Sequence, residues 1–342
     1  MVLKMSKTNK ILLLGGIYRN TGPANVNRNL VLADESIWYQ KSRNRVFRIL
    51  ETAIKFALAD TIVFSAYVRM PMLRLAKRLK KKTVYIMHGY IKYENMVNGL
   101  NLPESELLEE DQVIRGVDLI LCVSETHKKW FQQQCPDIRN VHFLHNGIDL
   151  PDIISHDTTE RLQNSIAVAG GNRSIKNNDV VCAAVEQLPQ YGVSEPSLYV
   201  YGRNEKNIEE PFAEFSRTIY KGLLPNAQFL EELKKIQLFV INSTVESFAL
   251  VAGEALTCGC SLLVSEKVGF VDLLDLTEAD VIHDTQDPHE IAEKIAYLLK
   301  NPNHERLATS VDFEHYSKAN AAVRLHRICD ALLAEESYEN IR

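Results

Sequence analysis

The chain has 342 residues, 24% of them charged, and a formal net charge of −5. That length exceeds one ordinary hydrophobic core and suits two domains. The composition is that of a globular protein, and the longest apolar runs are strand-sized, which excludes a bilayer-spanning helix.

Taken in chain order, Ile11–Leu14 reads as a strand, then a glycine loop, then a helix from about Ala24. Strands are expected at 61–64 and 83–87, flanking a helix around 70–80. A further strand covers 119–123, with a helix from Glu125 to about Gln134, and 141–144 closes the first series. Residues 148–163 break the rhythm with Pro151, acids, Ser and Thr, and read as a linker. A second series follows at 165–169, 198–201, 218–220, 238–241 and 261–264. Continuous apolar strands between helices indicate parallel sheets covered on both faces. The expectation is an α/β protein of two Rossmann-like, doubly wound domains, 1–150 and 151–316, facing across a cleft at the strands' carboxyl ends. A helical tail covers 317–342.

The start, Met1 to Lys7, lacks the apolar stretch of a signal peptide. Six scattered cysteines read as reduced thiols, and Cys258 and Cys260 have no second pair to make a zinc site. A cytoplasmic protein is expected. Residues 1–150 carry 22 Lys and Arg against 14 Asp and Glu, net +8; the remainder carries 17 against 30, net −13. Arg69, Arg74, Lys77, Arg78, Lys80, Lys81 and Lys82 concentrate the positive charge. They read either as a solvated helix face whose lysines suit its C-terminal dipole, or as attraction to an anionic membrane surface or lipid-diphosphate acceptor.

Four segments could carry chemistry. Glu246 and Glu254, seven residues apart, bracket a strand-to-helix transition, with Phe248, Ala249 and Leu250 at the helix start. Backbone N–H groups there suit oxygen-rich ligands. Gly170-Gly171-Asn172-Arg173-Ser174-Ile175-Lys176 follows a strand; its glycines admit close backbone approach and its cations suit a diphosphate. His88-Gly89 ends another strand. Gly15–Pro23 is a glycine loop but not G-x-G-x-x-G, and no acidic partner completes a dinucleotide fingerprint.

Together these resemble family 4 of the retaining glycosyltransferases with the GT-B fold. The resemblance implies that Arg173 and Lys176 hold the leaving diphosphate. Glu254 would bind the ribose hydroxyls, and Glu246 with the N–H groups of Phe248 and Ala249 would bind the sugar, which His88 would touch from the other domain. Gly22, in the first glycine loop, would meet the donor diphosphate or shape the acceptor pocket. Tyr201-Gly202-Arg203 and Gly222-Leu223-Leu224 would border the nucleotide. Ser124-Glu125 resembles the family's V-S-E segment but equally suits a helix cap with a first-turn acid. His145-Asn146-Gly147-Ile148-Asp149 resembles a segment ending the first domain. The last helix of the family often packs back on the first domain.

Two departures stand out. The family's usual Gly after Phe is Ala249 here, expected to hold ordinary helical angles, and 268–271 lacks a Gly-Gly pair. The implied activity is transfer of a sugar from a nucleotide diphosphate, a UDP-sugar, to a glycan or lipid-linked acceptor in cell-surface polysaccharide synthesis. No D-x-D triplet follows a strand, so no metal cofactor is expected. An anionic membrane surface is an expected partner; nucleic acid is not. A non-catalytic GT-B partner and an NAD-dependent oxidoreductase are the alternatives.

Overall fold

The computed structural model describes residues 9–18, 21–42, 44–65, 70–148 and 161–341. Arg19, Asn20, Arg69, Asp149 and Pro151 from the segments above lie outside these. The chain divides into two compact units, one of residues 1–93, 101–149 and 314–342, the other of 94–100 and 150–313.

In the first unit, β1 (Ile11–Leu14) leads through α1 (Gly22–Ala33) and α2 (Arg45–Leu58) to β2 (Thr61–Ser65). Next come α3 (Met70–Arg78), β3 (Lys82–Met87), α4 (Ile91–Asn98, which from Glu94 on clusters with the second unit), α5 (Glu104–Gly116), β4 (Leu119–Cys122), α6 (Glu125–Gln134) and β5 (Val141–Phe143). The strands pair in parallel in the order β1-β2-β3-β4-β5. Trp38 joins the other side of β1: Leu13 N–H donates to Trp38 O at 2.8 Å, and Trp38 N–H to Ile11 O at 2.9 Å. The chain therefore winds away from β1 in both directions. Caps set the helix starts. Thr21 Oγ1 accepts from Ala24 N–H, so α1 begins at Gly22 rather than Ala24. Ser124 Oγ accepts from His127 N–H at 3.0 Å, which gives Ser124 the cap role.

The second unit runs β6 (Ser165–Ala169), α7 (Asn178–Gln187), β7 (Ser197–Tyr201), β8 (Thr218–Gly222), α8 (Asn226–Leu233), β9 (Leu238–Ile241), α9 (Leu250–Thr257), β10 (Ser261–Ser265), β11 (Val281–Ile282), α10 (Pro288–Lys300) and α11 (His304–Ser310). Its sheet is β11-β10-β9-β6-β7-β8, with every pairing parallel. Ile166, Val168, Leu198, Val200, Leu238 and Val240 are buried in one cluster with Val181 and Val185 of α7 and Ile291 and Ile295 of α10. Each such side chain contributes about 1.5–3 kcal/mol on burial. The order reverses between β6 and β9, and a doubly wound sheet binds ligands beyond the carboxyl ends of the strands at such a point.

The final helix, α12 (Lys318–Ala334), packs against α1 in the first unit. Gly147 is structural: a Cβ there would lie 2.5 Å from Lys318 Cα. Next to it, Ile148 N–H donates to Tyr316 O at 2.8 Å, so Ile148 is part of packed structure rather than linker. At the other end of the expected linker, Arg161 donates to the carbonyls of Ile236 and Cys258. All six cysteines are free and buried.

Candidate functional site

The loops after β6 and β9 meet at the switch point of the second sheet. Gly170 and Gly171 leave β6 with φ of +101° and +59°, and Gly202 leaves β7 at +127°. A Cβ on Gly171 would sit 1.9 Å from Arg203 O, and one on Gly202 would sit 2.3 Å from Gly171 N. Two backbones thus lie in direct contact, which only glycine permits. Asn178 Nδ2 fastens the first loop by donating to Gly171 O at 2.8 Å. Gly202 acts here as packing that shapes the loop.

After this lock a single 3-10 turn, Ser174–Lys176, precedes α7. Thr244 N–H donates to Ile175 O at 3.0 Å and ties the turn to the β9 loop. The Lys176 stem runs under Gly170, where a Cβ would meet Lys176 Cγ at 2.7 Å. Its ammonium pairs with the Glu246 carboxylate. Glu246 is anchored through its backbone, donating to Lys267 O at 3.1 Å and accepting from Gly269 N–H at 2.8 Å. The 268–271 segment therefore supports Glu246 without a Gly-Gly pair.

Arg173 is 3.8 Å from Glu94, a residue of α4 that clusters with the second unit. Burial raises the Glu94 carboxyl above its usual range, Glu246 adds to the rise, and Arg173 and Lys176 oppose it. Asn98 Oδ1 also accepts from Ile175 N–H at 3.1 Å. Two cations and two carboxylates thus share one cluster. Glu94 carries no motif in the sequence, and only the fold brings it to its partners.

Phe248 is buried edge-on against Phe270, with ring centroids 5.6 Å apart. Ala249 does not take helical angles: its φ is +70° and ψ +68°. The sequence expectation is overturned because the chain must reverse between buried Phe248 and the first turn of α9. A non-glycine residue in that region costs about 1–2 kcal/mol. The N-terminus of α9, at Leu250, carries no side-chain cap, so its N–H groups can meet a ligand. Glu254 lies in the second turn, half-buried, and accepts from Asn226 Nδ2 at 3.2 Å. No cation pairs with it among the described residues, and burial pushes its carboxyl upward. Beside Asn226, a pocket of about 510 Å³ is lined by Leu224, Lys221, Ala227, Gln228, Glu231 and Glu232.

His88 and Gly22 belong to the first unit. His88 Nε2 is 2.9 Å from Ser65 Oγ, which donates to Asn27 Oδ1 at 2.6 Å. Asn27 Nδ2 donates in turn to Gly16 O at 3.0 Å. Since Ser65 spends its proton on Asn27, Nε2 of His88 is the donor to Ser65. Burial, reinforced by His127, pushes His88 down to about 3, so it is neutral near pH 7. Gly15 makes this chain possible, because a Cβ there would meet Asn27 Nδ2 at 2.5 Å; at Gly22 the space is open.

The basic residues of α3 and its end are partly engaged internally. Lys77 pairs with Asp118 at 2.6 Å and Lys82 with Glu335 at 3.1 Å. Lys81 donates to the carbonyls of Ala57 and Ala59. Among the described residues no group of three or more His, Cys, Asp or Glu side chains could hold a metal ion.

Two parallel, doubly wound sheets, with a glycine-locked cationic loop and a spaced pair of glutamates at one switch point, define the GT-B class of fold. A family model described as Glycosyltransferase Family 4 matches residues 23–151, and one described as Glycosyl transferases group 1 matches 160–310. The chain belongs to this glycosyltransferase family. It is 25% identical over 252 residues to a D-inositol 3-phosphate glycosyltransferase of Xylanimonas cellulosilytica, covering 66% of this chain and 59% of that protein. The chain thus spans less than two thirds of that relative's length. Among solved structures it resembles sucrose-phosphate synthase from Thermosynechococcus elongatus, with TM-score 0.65, 15% identity, 96% of this chain and 100% of that one. It also resembles Anabaena Alr3699/HepE in complex with UDP and glucose, with TM-score 0.62, 13% identity, and 96% and 100% coverage.

Proposed function

We propose that the protein transfers a sugar from a UDP-sugar to a hydroxyl of a glycan or lipid-linked acceptor, with retention at the anomeric carbon, in cell-surface polysaccharide synthesis. The observation that carries this reading is the Lys176–Glu246 pair at the switch point, with Glu254 on the helix that follows, a half-buried carboxylate that no cation pairs with among the described residues. Lys176 and Arg173 would meet the diphosphate, and binding it would loosen their hold on Glu246 and Glu94. Glu246 would then accept from sugar hydroxyls, with the Phe248 and Ala249 N–H groups beside it. Glu254 would accept from the ribose. The pocket along Leu224 has room for the base. The UDP in the Anabaena protein supports the choice of nucleotide.

In the reaction, the bond from the anomeric carbon to the phosphate oxygen breaks and the bond to the acceptor oxygen forms on the same face. The departing phosphate oxygen takes the acceptor's proton. The cations stabilise the charge that develops on the diphosphate, so no metal is needed. His88, neutral and held through Ser65, would orient the sugar.

A thermal-shift series with UDP, GDP and ADP tests the donor side. Ligand at 100 times its dissociation constant stabilises by about 2.7 kcal/mol. Hydrolysis of UDP-sugars without acceptor tests catalysis, and unchanged turnover in EDTA tests metal independence. Indifference to all three nucleotides would refute the reading.

A further inference from the structure

Helix α2 is fastened to its unit by its polar side. Gln40 Nε2 donates to Thr52 Oγ1 at 2.7 Å. The N–H groups of Lys41 and Ser42 donate to the Glu51 carboxylate at 3.1 and 2.9 Å, and Lys55 Nζ donates to Tyr39 O at 2.7 Å. At 3.6 residues per turn, Arg48, Glu51, Thr52 and Lys55 share one arc of the helix. The adjoining arc carries Val46, Phe47, Leu50, Ile54 and Leu58, and these are exposed by 73, 65, 57, 52 and 54%. Among the helix residues only Phe56 is buried. An amphipathic helix on a globular protein normally turns its apolar stripe to the core. This one turns it outward, and a contiguous apolar patch of that kind marks an interaction surface.

Charge decides what covers it. Glu51, the one acid on the helix, is held by Lys55 at 2.5 Å. Arg45 and Arg48 stay exposed on the same helix. At the far end, Lys81 joins Ala57 and Ala59 to the end of α3, which adds exposed Arg74, Arg78 and Lys80. A second copy seated symmetrically on this face would bring Arg45 and Arg48 against their equivalents, which is unfavourable. Residues 44–50 are exposed on every side of the helix. Among the described residues no helix is long and apolar enough to cross a membrane.

We propose that α2 is an interfacial anchor that lies flat on an anionic bilayer, with its apolar arc among the acyl chains and its arginines on the lipid phosphates. This surface is separate from the donor site. It deepens the lipid-linked acceptor reading but does not depend on UDP binding.

The test is flotation with vesicles of equal parts phosphatidylglycerol and phosphatidylcholine, against pure phosphatidylcholine. The wild type should float with the anionic vesicles and far less with the neutral ones. The triple variant Phe47→Ser, Leu50→Ser, Ile54→Ser changes exposed positions only, and should lose about tenfold in vesicle-bound fraction as buried apolar area is removed. Its UDP thermal shift should match the wild type, which separates this test from the donor reading. Arg45→Gln with Arg48→Gln should flatten the salt dependence. Failure of the wild type to float with anionic vesicles, or flotation of the triple variant like the wild type, would overturn the proposal. So would a wild-type dimer that the triple variant converts to monomer, which would make a second copy the occupant.

Discussion

Lys176 and Glu246 hold each other across the two loops that flank the switch point of the second sheet. In the proposed function Lys176 serves the diphosphate and Glu246 the sugar. In that function each partner would neutralise the other's charge until a ligand replaces it.

The first prediction follows from that exchange. Lys176→Met should lower kcat/KM on the order of 100-fold, the typical cost of removing one charge-stabilising donor. Arg173→Ala should act in the same direction. Melting temperatures should stay within a few degrees of wild type, because both side chains are partly solvent-exposed. Steady-state kinetics decide it, and normal turnover in both variants would remove the cationic loop from the mechanism.

Glu254 and Glu246 should separate by phenotype. Glu254→Gln should mainly weaken UDP binding, since a neutral amide is a poorer acceptor for ribose hydroxyls. Glu246→Gln should mainly lower turnover. Calorimetric titration with UDP alongside kinetics distinguishes them, and the reverse pattern would exchange their roles.

Glu254 also makes a stability prediction with a definite sign. Its folded carboxyl is raised by burial, so the folded state binds the proton more tightly than the unfolded one. Below the unfolded value, near 4.3, the group costs nothing. As pH rises through the raised folded value, ionising it costs stability. Glu254→Gln should therefore gain melting temperature relative to wild type as pH climbs from 4 to 7. A constant difference across that range would argue against a buried ionised carboxylate.

Ala249 should prefer to be glycine. Its left-handed angles cost about 1–2 kcal/mol, of which the greater unfolded freedom of glycine returns part. Ala249→Gly should stabilise by about 0.5–1 kcal/mol net, and Ala249→Val should destabilise because a β-branched residue fits that region poorly. Thermal melts of both variants measure it.

His88 should stay silent where histidines usually titrate. With its folded value pushed down to about 3, its imidazole resonances should not move between pH 5 and 8. Because the unfolded state takes the proton first, stability should fall as pH drops below about 6.5. His88→Gln should remove that part of the acid sensitivity. A midpoint near 6.5 in the native protein would refute the neutral assignment.

Much of the second unit is legible in the chain itself. Strands buried on both faces are unbroken apolar runs, so 165–169 and 238–241 stand out with both ends correct. The Lys176 and Glu246 loops follow from those strands. Glu94 is not legible, because its partners lie far along the sequence and no local pattern marks it. The left-handed Ala249 is hidden for a related reason: its φ is imposed by Phe248 packing on Phe270, not by its own preference. Trp38 pairs with β1 through a single bridge, too short to show alternation. Helix α2 is missing from the expected elements, and nothing local says that its apolar stripe faces out.

Strands β6 and β9 are neighbours in the sheet yet separated in the chain by α7, β7, β8 and α8. The loops carrying Lys176 and Glu246 therefore come together only when the middle of the sheet has closed. Closing so long a loop costs entropy before any contact repays it, and nonlocal pairing of this kind forms slowly. Before that closure the cationic turn and the acidic turn are apart, and the proposed donor site is incomplete. If the proposed donor reading holds, UDP should leave the refolding rate unchanged while slowing escape from the native state.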